Sequence, residues 1–143
     1  MPIHAFMDAY ARVWLDQDSE GFAALFTPDG QYWNTPFQCQ DSFDKRKTYW
    51  DRIKLQTDIT HVNEVLAETP GGGIAHWHVE YQVASEELFE IWAKSTGTGL
   101  PDRRPGDPLP RMILDGTLVA SFAPDGRARE VRIWWHSTAV PGK

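Results

Sequence analysis

The main change in the spacing of apolar residues along this chain comes after Gln56, and it constrains the fold more than any other feature. Before it, apolar residues recur at intervals of three and four, which is the period of a helix with one buried face. After it they alternate with polar residues, as in a half-buried strand, in residues 57–69, 73–83, 111–123 and 129–137. Helices followed by hairpin-linked strands predict an α+β fold with an antiparallel sheet.

Three helices are predicted before the change. The first covers residues 3–16, where the apolar positions share one face. Asp18 or Ser19 can cap a second helix, and Ser42 can cap a third, because each offers a side-chain oxygen to the free N–H groups of the first turn. The whole order therefore predicts a helical layer that precedes the sheet in sequence.

A short segment between the second and third helices has strand character. Residues 27–30 read Thr-Pro-Asp-Gly, which is turn chemistry and ends the second helix. Residues 31–37 then alternate polar groups with aromatic ones, and Pro36 marks their end. We therefore expect a turn followed by a strand at this point.

Residues 84–110 do not follow the strand rhythm and are predicted to be an insertion. Ser85 to Lys94 has helical character, with Leu88, Ile91 and Trp92 on one side. The remainder is rich in Gly and Pro, and so long a loop inside a compact domain usually has a function or moves. Two roles are open for this insertion: a mobile cover over a pocket, or part of a dimer contact.

Length and charge restrict the class of protein. A chain of 143 residues predicts one domain, residues 1–143, with the insertion inside it. The net charge of −6 argues against nucleic acid as a partner, and no apolar run approaches the roughly 20 residues of a membrane span. A lone cysteine, Cys39, excludes an internal disulfide and suits a reducing compartment, so we expect a cytoplasmic location.

Several motifs occur in an order that resembles one known superfamily. They are YARVWLDQD at the end of the first helix, the ALFTPDG turn, the EVLAE and HWHVEY strands, and the closing SFAPDGRAREVRIWWH. The chain resembles the nuclear transport factor 2-like superfamily, which includes ketosteroid isomerases and SnoaL-like polyketide cyclases. The resemblance implies a cone-shaped barrel, with three N-terminal helices packed on a strongly curved antiparallel sheet. It also implies a small-molecule pocket, a homodimer, and chemistry that needs neither metal nor cofactor.

The resemblance places the isomerases' catalytic positions on three residues. The oxyanion tyrosine matches Tyr10, the general-base aspartate falls on Asn34, and the second oxyanion-hole acid falls on Leu118. An amide cannot accept a proton at neutral pH, and leucine cannot donate a hydrogen bond. The isomerase mechanism is therefore not expected, although Tyr10 and Asn34 are still predicted to face one cavity.

Other catalytic candidates come from the residues themselves. Asp58 and His61 lie near the start of a strand, where a His–Asp pair can act as a general base, but their spacing puts them on opposite faces. The predicted ligand contacts are mainly the large aromatic residues: Trp14, Trp33, Trp50, Trp77, Tyr81, Leu118 and Trp135. Arg103 and Arg104 either meet an anionic group or are solvated.

His76 and His78 share one strand face, with His136 predicted on the last strand. This spacing can chelate zinc, but the face is predicted to be the outer one, and we expect no metal. With Gln82 and Trp134 the same face instead favours a homodimer contact.

Two functions stay open at this stage. One is binding of a hydrophobic small molecule with cofactor-free acid/base chemistry of the isomerase, cyclase or dehydratase type. The other is a non-catalytic ligand-binding or dimerisation module.

Overall fold

The computed structural model describes residues 2–94 and 103–142, and this part of the chain folds as helices on one face of a curved sheet. The elements in chain order are α1 (Pro2–Leu15), α2 (Ser19–Ala24), β1 (Phe26–Thr35), β2 (Gln38–Gln40), α3 (Phe43–Trp50), a 3-10 helix (Asp51–Leu55), β3 (Gln56–Thr69), β4 (Gly72–Val83), α4 (Glu86–Ala93), β5 (Arg111–Phe122) and β6 (Ala128–Val140). The predicted α+β class is confirmed.

The three N-terminal helices form where the apolar spacing and the caps predict them. The apolar face of α1 is buried and contains all six buried residues of the helix: Ile3, Phe6, Met7, Tyr10, Val13 and Trp14. The Asp18 side chain accepts a hydrogen bond from the Gly21 amide at 2.9 Å and caps α2. Ser42 caps α3 through the Lys45 amide at 3.2 Å.

The sheet has six strands in the order β2-β1-β6-β5-β4-β3. The long strands β3 to β6 pair antiparallel, and β2 pairs antiparallel with β1. The pairing of β1 with β6 is parallel, in contrast to the uniformly antiparallel sheet that the sequence predicts. Since four strands and the helices α3 and α4 separate β1 from β6 in sequence, no hairpin fixes their relative direction. Within the described residues the sheet is open, with β2 and β3 as its edges.

The β1 strand begins earlier than predicted and includes the Thr-Pro-Asp-Gly segment. Its pairing with β6 slips between Phe26 and Gln31, so residues 27–30 bulge out of the ladder rather than ending in a separate turn. Gly30 lies where a Cβ would come within 2.8 Å of the Ala128 carbonyl oxygen. A side chain at this position would push β1 away from β6.

A buried arginine fixes this bulge. Arg46 of α3 is fully buried, and within residues 2–94 and 103–142 its guanidinium donates hydrogen bonds only to backbone carbonyls. Those of Gly30 (2.7 Å) and Thr27 (3.2 Å) belong to the bulge, and that of Ala23 (3.3 Å) belongs to α2. The guanidinium also lies 4.9 Å from the centre of the Phe26 ring. One side chain thus joins α2, α3 and the start of β1.

No helix in the described residues is long and apolar enough to cross a membrane.

Replacing Arg46 with methionine keeps an apolar stem but removes the donor from three carbonyl groups, two of them on the buried residues Ala23 and Gly30. We expect the free energy of unfolding to fall by about 3 kcal/mol, because each unpaired buried acceptor carries a desolvation cost. Urea denaturation measures the change, with Arg129→Met as the control, since Arg129 is exposed. A loss as small as that of the control would mean that the bulge is held by other contacts.

Candidate functional site

The inner face of the sheet is divided into a packed end and an open end. At the packed end α1 covers the strands, with Phe6 lying 5.6 Å from the Phe122 ring and 6.3 Å from the Phe26 ring. At the open end lies a cavity of about 540 Å³. Its lining comprises Trp14, Tyr32, Asn34, Thr35, Phe37, Gln38, Tyr49, Trp50, Arg52, Ile53, Gln56, Trp77, Tyr81, Leu88, Ile91, Lys94, Leu114, Ile133 and Trp135.

Three tryptophans form one wall of the cavity. The Trp14 ring lies 5.2 Å from that of Trp50 and 5.5 Å from that of Trp77. Phe22 supports this wall from behind, stacked on Trp50 at 3.9 Å with an interplanar angle of 5°. Trp77 fits flat on the sheet because its neighbour on β5 is Gly116, where a Cβ would come within 2.6 Å of the indole. The wall is therefore rigid as well as apolar.

The polar groups near the mouth form a short amide network around Asn34. The Asn34 side chain donates to Gln38 at 2.9 Å and accepts from Gln40 at 3.1 Å, which ties β1 to β2. Its backbone carbonyl accepts from the Trp135 indole at 3.1 Å. Asn34 is buried and is placed at the cavity by β1, as the alternation of that strand predicts.

Three tyrosines add hydroxyl groups to the lining. Burial raises the pKa of Tyr32, Tyr49 and Tyr81 above the ordinary value, so these phenols stay protonated at neutral pH. On the opposite wall the Gln56 side chain accepts from the Trp14 indole at 2.8 Å. The cavity thus combines neutral hydrogen-bonding groups with aromatic surface, which is the usual composition of a small-molecule site.

Tyr10, the predicted partner of Asn34, lies in the core behind the cavity wall. It is completely buried between Phe6, Trp14 and Trp50 and is not part of the lining. Burial raises its pKa, and its hydroxyl lies near that of Tyr32 without a partner of good hydrogen-bond geometry. Trp14 and Trp50 pack against the Tyr10 ring and line the cavity in its place, and Tyr32 is one of the tyrosines of the lining.

Asp58 and His61 point in different directions. Asp58 is exposed, adopts a left-handed backbone conformation (φ 49°) and accepts a hydrogen bond from Arg111 at 3.1 Å. The His61 ring faces inward, with its centre 5.8 Å from the Tyr10 ring and 5.6 Å from the Trp14 ring. Neither ring nitrogen has a partner among the described residues, and burial lowers the pKa of His61 to about 4. The two residues do not form a His–Asp pair.

Two further predicted ligand contacts lie outside the cavity. Trp33 is on the opposite face of β1 from Tyr32 and Asn34, because side chains alternate along a strand, and it covers Arg132 at 4.5 Å. Leu118 is fully buried at the packed end of β5. Trp14, Trp50, Trp77, Tyr81 and Trp135 do line the cavity.

The inserted segment contributes α4 to the cavity through Leu88 and Ile91, whereas the Trp92 side chain lies outside the described part. Arg103 is not free to meet a ligand. Its guanidinium makes two hydrogen bonds to Glu86 at 2.6 and 2.7 Å, and its carbon lies 4.9 Å from the Phe89 ring centre. This pairing, with a hydrogen bond from the Gly106 amide, lowers the pKa of Glu86 to about 2. The chain that begins at Arg103 is therefore held against α4.

His76 and His78 lie on the outer face of the sheet and share one carboxylate. Asp115 accepts from His76 at 2.8 Å and from His78 at 2.9 Å, and the other nitrogen of His78 contacts Glu80 at 2.9 Å. These two carboxylates raise the pKa of His78. In the described ranges no group of three or more His, Cys, Asp or Glu residues is arranged to hold a metal ion.

Several lining residues are not among the sequence-predicted contacts. Tyr32 could have been found, because it is two residues before Asn34 and so shares its face of β1. Arg52 and Ile53 are on the 3-10 helix, whose apolar spacing is too short to show which side faces inward. Tyr49 and Lys94 lie at the ends of helices, where periodicity gives little information.

Comparison with solved structures confirms the fold. The chain is similar to the structure of SalBIII, which is described as an epoxide hydrolase/cyclase-like enzyme with a role in pyran ring formation in the polyether salinomycin. The TM-score is 0.65 and the identity is 12%, over 96% of this chain and 95% of that one. It is also similar to a computationally designed 17-OHP binder, with a TM-score of 0.66 and 13% identity over 97% and 96% of the two chains. No protein-family model and no curated protein matches the sequence. The chain has the SnoaL-like, nuclear transport factor 2-like fold that its motifs predict.

The buried imidazole of His61 makes stability depend on pH. Its pKa is lower in the folded chain (about 4) than the ordinary value of 6.5, so protons bind preferentially to the unfolded chain between these values. We expect His61 to cost roughly 3 kcal/mol of stability as the pH falls from about 6.5 to 4. In His61→Leu this part of the decline should be absent in urea titrations at several pH values. The control His136→Leu, at an exposed position, should decline like the parent chain.

Proposed function

We propose that this chain binds a hydrophobic small molecule with an aromatic or cyclic body in its cavity. The observation that carries the proposal is a cavity of about 540 Å³ lined by four indole rings and three phenols. Cavities that bind small molecules have volumes of roughly 300–1,000 Å³, apolar walls and a few polar groups that orient the ligand. The rigid wall of Trp14, Trp50 and Trp77 supplies the first requirement, and Asn34 with its amide neighbours supplies the second.

The two similar structures support this proposal at the level of the fold. One is described as a cyclase-like enzyme and the other as a designed binder of a small molecule. Both cover nearly the whole of this chain, so the part of the fold that surrounds the cavity is shared. A fold alone does not determine chemistry, and the ligand of this chain must be inferred from its own lining.

A second candidate function is cofactor-free catalysis in the same cavity. The protonated phenols of Tyr32, Tyr49 and Tyr81 can donate hydrogen bonds to a carbonyl or ether oxygen and stabilise negative charge that develops on it. Among the lining residues that the structure describes there is no carboxylate and no imidazole to abstract a proton. We therefore favour chemistry that needs activation of a substrate oxygen, such as cyclisation, over isomerisation by the isomerases' mechanism.

We further propose that α4 covers the ligand. Its residues Leu88 and Ile91 face the cavity, which supports the role of a cover over that of a dimer contact. The ion pair between Glu86 and Arg103 holds the chain at Arg103 against the first turn of α4. Residues on such a cover exclude water from a bound ligand and strengthen its polar contacts.

The lone Cys39 is the basis for proposing that the chain lies in the cytoplasm.

The outer face of the sheet is proposed as a homodimer interface. Apolar side chains are exposed on that face: Val62 (63%), Leu66 (53%), Trp134 (48%) and Val119 (38%). They come from β3, β5 and β6. His76 and His78 lie between them on β4.

Light scattering tests the dimer. We expect a mass near twice 16.3 kDa for the parent chain and a shift toward the single-chain mass in Trp134→Ala, because the change removes the largest exposed apolar group of that face. Leu15→Ala is the control, since Leu15 is exposed on a helix. A constant mass near 16.3 kDa over a wide concentration range would overturn the proposal.

The fluorescent probe N-phenyl-1-naphthylamine tests binding, because it is neutral and aromatic. Trp135 and Trp134 are neighbours on β6 and provide a matched pair, since the first lines the cavity and the second lies on the outer face. We expect Trp135→Ala to weaken binding by about tenfold and Trp134→Ala to leave it unchanged, since a buried aromatic contact is worth on the order of 1 kcal/mol or more.

The comparison within this pair separates cavity binding from adsorption to the surface. Equal losses in both variants would place the probe elsewhere, and failure of the parent chain to bind any neutral aromatic probe would overturn the proposed function. Near-ultraviolet circular dichroism of both variants checks that the remaining tryptophans keep their packing.

A further inference from the structure

The charged residues of the cavity are all of one sign. Among the described residues of the lining, only Arg52 and Lys94 carry a charge, and both are cations. The chain as a whole is acidic, with 20 Asp and Glu residues against 14 Lys and Arg residues. The described part of the lining therefore has the opposite charge balance to the molecule that contains it.

Arg52 is oriented by its neighbours but not neutralised by them. Its Nε donates to the Tyr49 carbonyl at 3.0 Å, and its guanidinium carbon lies 4.0 Å from the Tyr49 ring centre. In the described ranges its two Nη groups donate to nothing, and no carboxylate lies within ion-pair distance. Arg46 and Arg103, by contrast, have their donors occupied by carbonyls and by Glu86.

The two Nη groups form a planar fork that is complementary in geometry to a carboxylate. Arginine binds such anions through two parallel hydrogen bonds, and the interaction strengthens where apolar walls exclude water. The positive charge of Arg52 also acts on groups that line the cavity. It lowers the pKa of Tyr32, Tyr49 and Tyr81 and so offsets part of the increase that burial causes. These phenols can add hydrogen bonds to the same anion.

We propose that the natural ligand is an amphipathic organic anion, with a cyclic or aromatic body against the tryptophan wall and a carboxylate bound by Arg52. The inference rests on the proposed function and specifies its ligand class. Lys94, exposed at the end of α4, contributes a second positive charge at the mouth and favours the approach of an anion. The Asn34 amides are left to orient the uncharged part of the ligand.

A pair of probes that differ only in charge tests this inference. 1-Pyrenebutyrate is an anion at neutral pH, and 1-pyrenebutyramide has the same aromatic body with a neutral amide. Fluorescence titration at low salt should give a dissociation constant at least about tenfold lower for the butyrate, because a charge-assisted bidentate contact is lost in the amide. Added salt should reduce this preference.

Substitution of Arg52 assigns the preference to that residue. In Arg52→Gln the butyrate should bind about tenfold more weakly, while the amide should change less than twofold. Arg52→Lys should keep part of the preference, since it retains the charge without the fork. Arg129→Gln makes the same charge change at an exposed site on β6 and should keep the full preference.

The possible failures are distinguishable. If the parent chain binds both probes with equal affinity, the inference is wrong and the proposed hydrophobic binding stands. If it binds neither probe nor N-phenyl-1-naphthylamine, the proposed function fails as well. If Arg52→Gln does not fold, Arg52→Lys decides: a preference unchanged from that of the parent chain at every salt concentration would show that the bidentate contact is not the cause.

Discussion

The hydrogen bonds from Arg46 to backbone carbonyls hold together the part of the chain on which the site depends. They join the end of α2, the bulge at the start of β1 and the middle of α3. β1 then carries Tyr32 and Asn34 to the cavity, and α3 leads directly to Trp50 and Arg52. A guanidinium is suited to this position because its five donors can satisfy several carbonyls at once, which a lysine ammonium cannot do in one plane.

The cavity places several hydrogen-bonding groups beside an apolar wall. The tryptophan indoles of residues 14 and 135 donate to protein acceptors, and the phenols stay neutral because burial disfavours their ionised form. The charged side chains in the described part of the lining are Arg52 and Lys94, and part of each stays in contact with water. The site is thus polar in hydrogen-bonding capacity and nearly neutral in its interior.

The sequence predicts the helices, the hairpins and the fold class because these depend on periodicity and caps, which are local properties. It also predicts Asn34 and all four tryptophans among the described residues of the lining. It does not reveal that Arg46 is buried, since DKRKTY reads as a solvated helix surface and the carbonyls that bind the guanidinium are 16 to 23 residues away. The sequence also does not show that Tyr10 lies outside the cavity, because the whole apolar face of α1 points inward. Only the packing of Trp14 and Trp50 over the Tyr10 ring keeps Tyr10 out of the lining.

The division of the inner face into a packed end and an open end has a consequence for how such a chain can diversify. Residues that fold it, such as Phe6, Phe122 and Arg46, are largely distinct from those at the mouth, such as Gln38 and Ile91. Selection can therefore vary the mouth and α4 from one lineage to another while the helical end is retained. Sequence identity should then decay fastest around the mouth, so that chains with the same architecture can come to share little sequence, as the 12% and 13% identities to the two similar structures illustrate.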